Sequence, residues 1–246
     1  MYIATKYSVP EGNPTLWRYL SFSKFLDLIN TSALYFCRLD KFSDPLECTQ
    51  PNGSFDFAMG TNNPWQMYER EYLNAHLYML KQMTFVSCWH INETENVFMW
   101  DNYAAQQGNE GVAIKTDLNA IKTVLSEVDR RITDMVVSYV DFQTYYMNYF
   151  MANPFDFISV KDLSFSLENE LRLITFEEKY PDIDEDDVIC RNKIYCEHIG
   201  EHIHVDLNKL IHCIYLSPNS TQRFEELIKN LLEANNLKIE VKKSML

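Results

Sequence analysis

The amino-acid sequence predicts an α+β fold, a single domain built on a split or strongly bent mixed β-sheet. Three observations carry that expectation. Strand-like and helix-like runs are mixed along the chain without a regular βαβ beat. Neither a Gly-x-Gly-x-x-Gly fingerprint nor a Walker loop occurs, which argues against the nucleotide crevice of a parallel sheet. The 15 Tyr and 15 Phe suit strands and half-buried surfaces.

Leu16-Trp-Arg-Tyr-Leu reads as a strand. Residues 21–29 follow with helical spacing, because Phe22, Phe25, Leu26 and Ile29 share one face, and Ser21 or Ser23 is placed to cap them. Residues 33–39 make a second strand. In Phe42-Ser-Asp-Pro-Leu-Glu, Asp44 fits a helix N-cap, Pro45 the first helical position and Glu47 the third. The polar stretch 49–63 reads as a loop. Residues 65–82 form a helix whose apolar face carries Met67, Tyr68, Tyr72, Leu73, Leu77 and Leu80.

Residues 84–90 are a strand and 96–105 a short helix with Met99, Trp100 and Tyr103, the last two read as core. A strand over 111–116 follows a glycine turn, then a helix over 118–128 and a strand over 135–142. The aromatic stretch 145–157 reads as helical before Pro154, and 161–167 as another short helix. A strand over 171–176 is entered directly from Glu168-Asn-Glu170. The acidic run 181–187 reads as an exposed loop. Strands over 202–207 and 210–216, a helix over 222–235 and an alternating strand from Leu237 complete the chain.

The chain of 246 residues fits one domain, 1–246, with its core over about 16–246. A 46% hydrophobic content is enough to bury a large core. The formal charge of −13 repels phosphate backbones and anionic membranes, which argues against a protein that coats DNA or RNA but leaves room for a local basic pocket. The N-terminal residues lack the apolar core of a signal peptide, and no apolar run approaches the ~18 residues of a membrane span. A cytoplasmic location is therefore expected, with no membrane partner. The six cysteines are then expected to be reduced, since Cys37, Cys88 and Cys213 lie inside apolar strand-like runs.

Several groups carry candidate chemistry. Glu168 and Glu170, at i and i+2 before a strand, point to one side of an extended chain, where each perturbs the other's ionisation. Arg172 continues that side and is placed to neutralise one of them; the bland alternative is a surface Glu/Arg ladder. Arg18, between Trp17 and Tyr19, offers a planar fork suited to phosphate or carboxylate, or an ordinary strand-edge salt bridge. Ser87 and Trp89 share a strand face, where a hydroxyl beside a ring can orient a sugar under a flat cation, or simply fill the core. Cys190, Cys196, His198, His202 and His204 fall within fifteen residues, yet their spacing fits no familiar zinc motif. A Cys88–His90 nucleophile pair is disfavoured by its i,i+2 placement on a strand.

The order and spacing of several runs resemble a large prokaryotic family catalogued as a domain of unknown function. They are Leu16-Trp-Arg-Tyr-Leu-Ser, Phe42-Ser-Asp-Pro-Leu-Glu, Val86-Ser-Cys-Trp, Met99-Trp-Asp-Asn-Tyr, Glu168-Asn-Glu-Leu-Arg-Leu-Ile and Ile214-Tyr-Leu-Ser-Pro, together spanning about 16–246. More distantly, the chain resembles ADP-ribosyltransferases of the Arg–Ser–Glu kind. Those enzymes place an Arg in the first strand, a Ser in a middle strand and a Glu-x-Glu opening a later strand; here Arg18, Ser87 and Glu168-x-Glu170 stand in that order. Their middle-strand Ser-Thr-Ser is here Ser87-Cys-Trp, with one hydroxyl.

That second resemblance implies an ADP-ribosyltransferase-like fold and NAD⁺ as substrate. Cleavage of the nicotinamide–ribose bond passes through an oxocarbenium-like state that a fixed carboxylate stabilises. Glu170 would take that role and Glu168 would orient or deprotonate the acceptor. Arg18, with Tyr19 beside it, Ser87 and Trp89 would hold the dinucleotide. The acceptor implied is a protein or nucleic acid, and the context implied is a bacterial toxin or phage-defence effector with a possible antitoxin partner. Two other readings stand beside it: a non-catalytic binding or regulatory module on the same scaffold, and a metal-dependent hydrolase or nuclease.

Overall fold

The computed structural model describes residues 2–3, 12–52, 64–104, 110–148, 152–178 and 194–246, with only the backbone described at 2–3 and 64–70. The acidic run 181–187, Cys190 and most of the 49–63 loop lie outside these residues. The first half comprises β1 (Tyr2–Ile3), β2 (Thr15–Ser21), α1 (Phe22–Thr31), β3 (Ala33–Arg38), α2 (Pro64–Met83), β4 (Thr84–Ile91) and α3 (Val97–Met99), which runs on into a π turn (Trp100–Ala104). Then come β5 (Gly111–Asp117), α4 (Leu118–Ser126), β6 (Ile132–Val136), β7 (Ser138–Val140), α5 (Pro154–Ile158) and β8 (Val160–Asp162). A 3₁₀ turn (Leu163–Glu168) leads into β9 (Glu170–Phe176), followed by β10 (Gly200–His204), α6 (Leu207–Leu210), β11 (Cys213–Leu216), α7 (Gln222–Ala234) and β12 (Glu240–Lys243).

These strands form an open mixed sheet in the order β1-β6-β9-β4-β2-β5-β11-β12, with β3 branching from β4 and carrying β10. The β1–β6 and β11–β12 pairs are parallel, and the other pairs of this sheet are antiparallel. On one edge β4 pairs with β9 along its whole length, from Thr84↔Phe176 to His90↔Glu170. Its other edge is shared: β3 takes the early half through Cys37↔Val86 and Arg38↔Phe85, and β2 the late half through Leu16↔Ile91 and Trp17↔His90. The sheet therefore forks on β4, and the middle of β4 is left uncovered on that edge.

Alternation along the strands sends side chains to the two faces of the sheet, where they join three apolar clusters. Leu16, Leu20, Phe36, Phe85, Trp89, Leu171 and Leu173 join the larger core, covered by α1, α4 and α7 through residues such as Phe25, Ile29, Ile121, Phe224 and Ile228. Val86, Met135 and Ile174 face the opposite side with Leu77 of α2 and Phe157 of α5. Trp17 and Tyr19 form a third, smaller cluster with Met99 and Trp100. Gly111 permits the close return of the chain after the π turn, because a Cβ at this position would collide with the backbone of Ala104.

Some elements depart from the sequence expectation. Asp44 caps a turn rather than a helix: its Oδ1 accepts from Leu46 N at 2.9 Å and its carbonyl from Glu47 N at 3.2 Å. Pro154 starts a helix instead of ending one, with Asn153 as its N-cap in a capping box with Asp156, while 145–148 are not helical. The strand expected over 135–142 is two strands, because the chain changes partners at Val137, which donates to Glu170 O, after which Ser138 donates to Ser159 O. Lys161 lies in β8, and the helix expected over 161–167 is the 3₁₀ turn that follows it. In 210–216 the strand begins only at Cys213, since Asp206 caps α6 by accepting from Asn208 N and Lys209 N.

Candidate active site

A cleft of about 670 Å³ opens at the fork of the sheet. Its volume lies in the range of small-molecule sites, ~300–1,000 Å³. Arg18, Tyr19, Trp89, Glu168 and Glu170 all line it. Ser87 does not: it is fully buried on the face of β4 that points into the larger core, and its Oγ has no hydrogen-bond partner among the described residues. Residues of both strand faces reach the cleft because the fork opens β4 to either side.

Arg18 bridges the fork. Its Nη2 donates to the Tyr35 carbonyl at 2.9 Å, and its guanidinium lies over the Trp89 ring, 5.6 Å from the centroid. No carboxylate pairs with it among the described residues. Burial pushes its pKa down to about 10, only partly opposed by the nearby thiols of Cys88 and Cys37. The Cys37 thiol is raised by burial, against the pull of Lys24, Lys41 and Arg18. Three cations thus act on Cys37 near the end of β3, and all three line the cleft. Tyr19 is nearly buried; its hydroxyl accepts from Asn96 N at 2.9 Å, and it supports the cleft wall by packing edge-on against Trp100 and His90.

The carboxylate end is built by β9, β8 and the 3₁₀ turn. Asn169 takes a left-handed conformation (φ 38), which Asn tolerates, and this reverses the chain between Glu168 and Glu170. Both carboxylates nevertheless converge on Lys161, whose Nζ lies 2.5 Å from Glu168 Oε2 and 3.5 Å from Glu170 Oε2. The Tyr103 hydroxyl donates to Glu168 Oε1. Arg172, fully buried, donates Nε to Glu170 Oε1 at 3.0 Å and Nη2 to Glu170 Oε2 at 3.2 Å. It also donates to both oxygens of Glu47, at 2.7 and 2.8 Å, and to Ile158 O at 2.7 Å. All five guanidinium N–H groups are therefore used.

Burial alone would raise the Glu170 pKa, but Arg172 and then Lys161 outweigh it and hold the carboxyl below the ordinary range. Burial would lower Lys161, but Glu170 and Glu168 lift it above the ordinary lysine value. Burial drives the Cys88 thiol well up, with Glu170 adding to the effect, so it stays protonated. His90 is pushed below its ordinary value, chiefly by burial. Its Nδ1 lies 2.6 Å from Glu168 O and its Nε2 3.3 Å from Asn96 Nδ2, an arrangement that fits a neutral ring donating at one end and accepting at the other. The cluster therefore sets three carboxylates, Glu47, Glu168 and Glu170, against two cations, Lys161 and Arg172, leaving one net negative charge.

The sequence singled out Arg18, Tyr19, Trp89, Glu168 and Glu170, and the fork brings these together. Lys161, Glu47 and the reach of Tyr103 to Glu168 were missed. Tyr103 read as core, yet it is 38% exposed and only its partner Trp100 is buried. The one local signal for Lys161 is a lysine directly after the apolar run Phe157-Ile-Ser-Val. Glu47 gives no local signal, since its partner is 125 residues away.

Cys196 and His198 lie on the segment that Arg38 ties down by donating to both their carbonyls, whereas His202 contacts Asp27 and His204 the Thr31 carbonyl. Among the described residues no group of three His, Cys, Asp or Glu is placed to hold a metal ion. No described helix is long and apolar enough to cross a membrane. Comparison with protein-family models, curated proteins and solved structures finds no match to this chain.

Proposed function

We propose that the cleft binds NAD⁺ and cleaves its nicotinamide–ribose bond, passing ADP-ribose to a macromolecular acceptor. One observation carries this: the cleft sets an unpaired, half-buried cation, Arg18, against a carboxylate cluster with one negative charge in excess. NAD⁺ has the matching polarity, with an anionic diphosphate and a cationic ring joined to the ribose that becomes oxocarbenium-like. The diphosphate would lie against Arg18, Lys24 and Lys41, and the cationic end against Glu168 and Glu170. As the C1″–N bond breaks, its electron pair passes to the nicotinamide nitrogen and neutralises the ring. An acceptor nucleophile then bonds to C1″, and its proton passes to the Glu168 carboxylate. Glu170, held ionised and immobile, stabilises the positive charge in between.

The test is transfer of label from radiolabelled NAD⁺ in bacterial lysate, with nicotinamide release measured in parallel, for wild type and Glu170→Gln. Labelled macromolecule with wild type and not with the variant is the expected result. Absence of both transfer and nicotinamide release from a folded wild type would overturn it.

A second reading is favoured by one specific feature. Both Glu170 oxygens accept from Arg172, and Glu170 is only 4% exposed. A carboxylate so occupied suits a module that binds a nucleotide without turning it over. Protection of the protein from thermal unfolding by NAD⁺, with no nicotinamide formed, would select this reading.

A further inference from the structure

The end of the cleft formed by β3 and β10 carries two aromatic rings that the proposed chemistry does not use. Tyr35 and His202 are paired directly across these strands, and both line the cleft. Their ring centroids lie 5.1 Å apart, with the planes tilted at 57°. The Tyr35 ring crosses the backbone of Gly200, where a Cβ would collide with it, and its hydroxyl donates to Ile199 O at 3.4 Å. His202 is tied to α1, its Nε2 2.9 Å from Asp27 Oδ2. Both rings are thus held in place, yet Tyr35 is only half-buried and His202 is exposed.

The other rings of the cleft are covered or engaged. Trp17, Tyr19, Trp89 and His90 are buried. Phe165 lies against Lys161 and Phe42 against Arg172, with the cations 4.7 and 5.9 Å from the ring centroids. Tyr103 gives its hydroxyl to Glu168 at the carboxylate end. Arg18 stands between the two ends, with Nη2 on the Tyr35 carbonyl and its guanidinium over Trp89.

We infer that Tyr35, flanked by His202, stacks against the base at the far end of the bound nucleotide, the adenine of NAD⁺. A base is flat and apolar on its faces, so it gains from an accessible ring where a phosphate does not. The order of groups along the cleft matches that of the ligand. An aromatic pair is followed by Arg18, Lys24 and Lys41 and then by the carboxylates, as a base is followed by the diphosphate and then by the nicotinamide ribose. Gly200 supplies the space that the Tyr35 ring occupies, and a side chain there would push the ring toward the ligand. This rests on the nucleotide reading above, but it needs only binding and no turnover.

The experiment is a double-mutant cycle between ligand and protein, read by calorimetry. ADP-ribose and a base-free counterpart, two riboses joined through the same diphosphate, are titrated into wild type and Tyr35→Leu. The base-free ligand should bind wild type about tenfold to a hundredfold more weakly than ADP-ribose, and most of that penalty should vanish in Tyr35→Leu. Tyr35→Phe keeps the ring and loses only the bond to Ile199 O, so it should retain the penalty. Gly200→Ala displaces the ring without removing it, and it should weaken ADP-ribose while leaving the base-free ligand unchanged. Thermal midpoints show that each variant is folded. If the base-free ligand binds wild type as tightly as ADP-ribose, or its penalty survives in Tyr35→Leu, the base site falls and nucleotide binding at Arg18 stands. If neither ligand binds folded wild type, both readings fall together.

Discussion

Arg172 donates Nη1–H and Nη2–H to the two carboxylate oxygens of Glu47 at 2.7 and 2.8 Å, joining the middle of β9 to the turn that rims the cleft. The same guanidinium holds Glu170, so one buried side chain sets both the rim and the carboxylate end. Replacing it with an apolar isostere leaves Glu47 and Glu170 buried with less counter-charge. Arg172→Met should therefore destabilise the fold by about 3–5 kcal/mol. Arg172→Lys should recover only part of this, since an ammonium cannot make two bidentate contacts. Urea unfolding midpoints at pH 7 measure both. A loss below about 1 kcal/mol for Arg172→Met would mean that the clamp carries little of the stability.

The same cluster sets a pH dependence whose sign can be worked out. Glu170 has a folded pKa below its ordinary value of 4.5, so its contribution is present above pH 4.5 and is lost as pH falls through the folded value. His90, lowered from 6.5, adds an earlier limb: its unfolded form takes up a proton first, so stability begins to decline as pH falls below 6.5. Lys161, raised above 10.5, contributes fully below pH 10.5 and loses that contribution as pH rises through its folded value. Thermal midpoints across pH should show a plateau bounded on both sides. Glu170→Gln should flatten the steep acid limb below 4.5 and leave the decline beginning near 6.5 in place. An unchanged acid limb in that variant would assign it to other carboxylates.

Ser87 separates resemblance from geometry. In order along the chain it stands where a catalytic-site hydroxyl would be expected, but β4 turns it into the larger core with its Oγ unpartnered. A buried hydroxyl without a partner costs stability, and removing it leaves only a small void. Ser87→Ala should raise stability by up to about 1 kcal/mol and leave unchanged the NAD⁺ binding and turnover proposed for the cleft. A large loss of activity in a stable Ser87→Ala protein would show that this hydroxyl reaches the ligand.

The parts of the site that were legible in the sequence are those set by period. Arg18 in a strand of aromatics, and Glu168 and Glu170 opening a strand, are placed by an alternation that can be counted along the chain. The forked sheet was legible in kind, through short strands without a βαβ beat, but the fork itself depends on β2 and β3 competing for one edge of β4, which is a long-range choice. Glu47 read as a capping residue because Ser-Asp-Pro-Leu-Glu matches the local pattern; the pull of Arg172, 125 residues on, draws it inward instead. Pro154 read as a helix stop because an aromatic run precedes it, whereas Asn153 and Asp156 make it a helix start. In both cases the local signal was real, and the contact or cap that decided between its two meanings was not part of it.

Arg18 yields the clearest separation of stability from function. It is half-buried, carries no carboxylate partner among the described residues, and is held to a pKa of about 10 by burial. Among the described residues its contribution to the fold is one bond to the Tyr35 carbonyl and its contact with the Trp89 ring, offset by the cost of desolvating its charge. Arg18→Met keeps the length and the packing while removing the charge, so stability should stay within about 1 kcal/mol of wild type. On the proposed nucleotide reading, affinity for ADP-ribose should nevertheless fall roughly tenfold to a hundredfold, because bonds from Arg18 to a diphosphate are charge-assisted. Arg18→Lys should lie between the two, keeping the charge and losing the planar fork. Calorimetric titration beside thermal melts gives both quantities. A variant that melts early and binds normally would make Arg18 a strut across the fork, and the anionic end of the ligand would then have to be sought at Lys24 and Lys41.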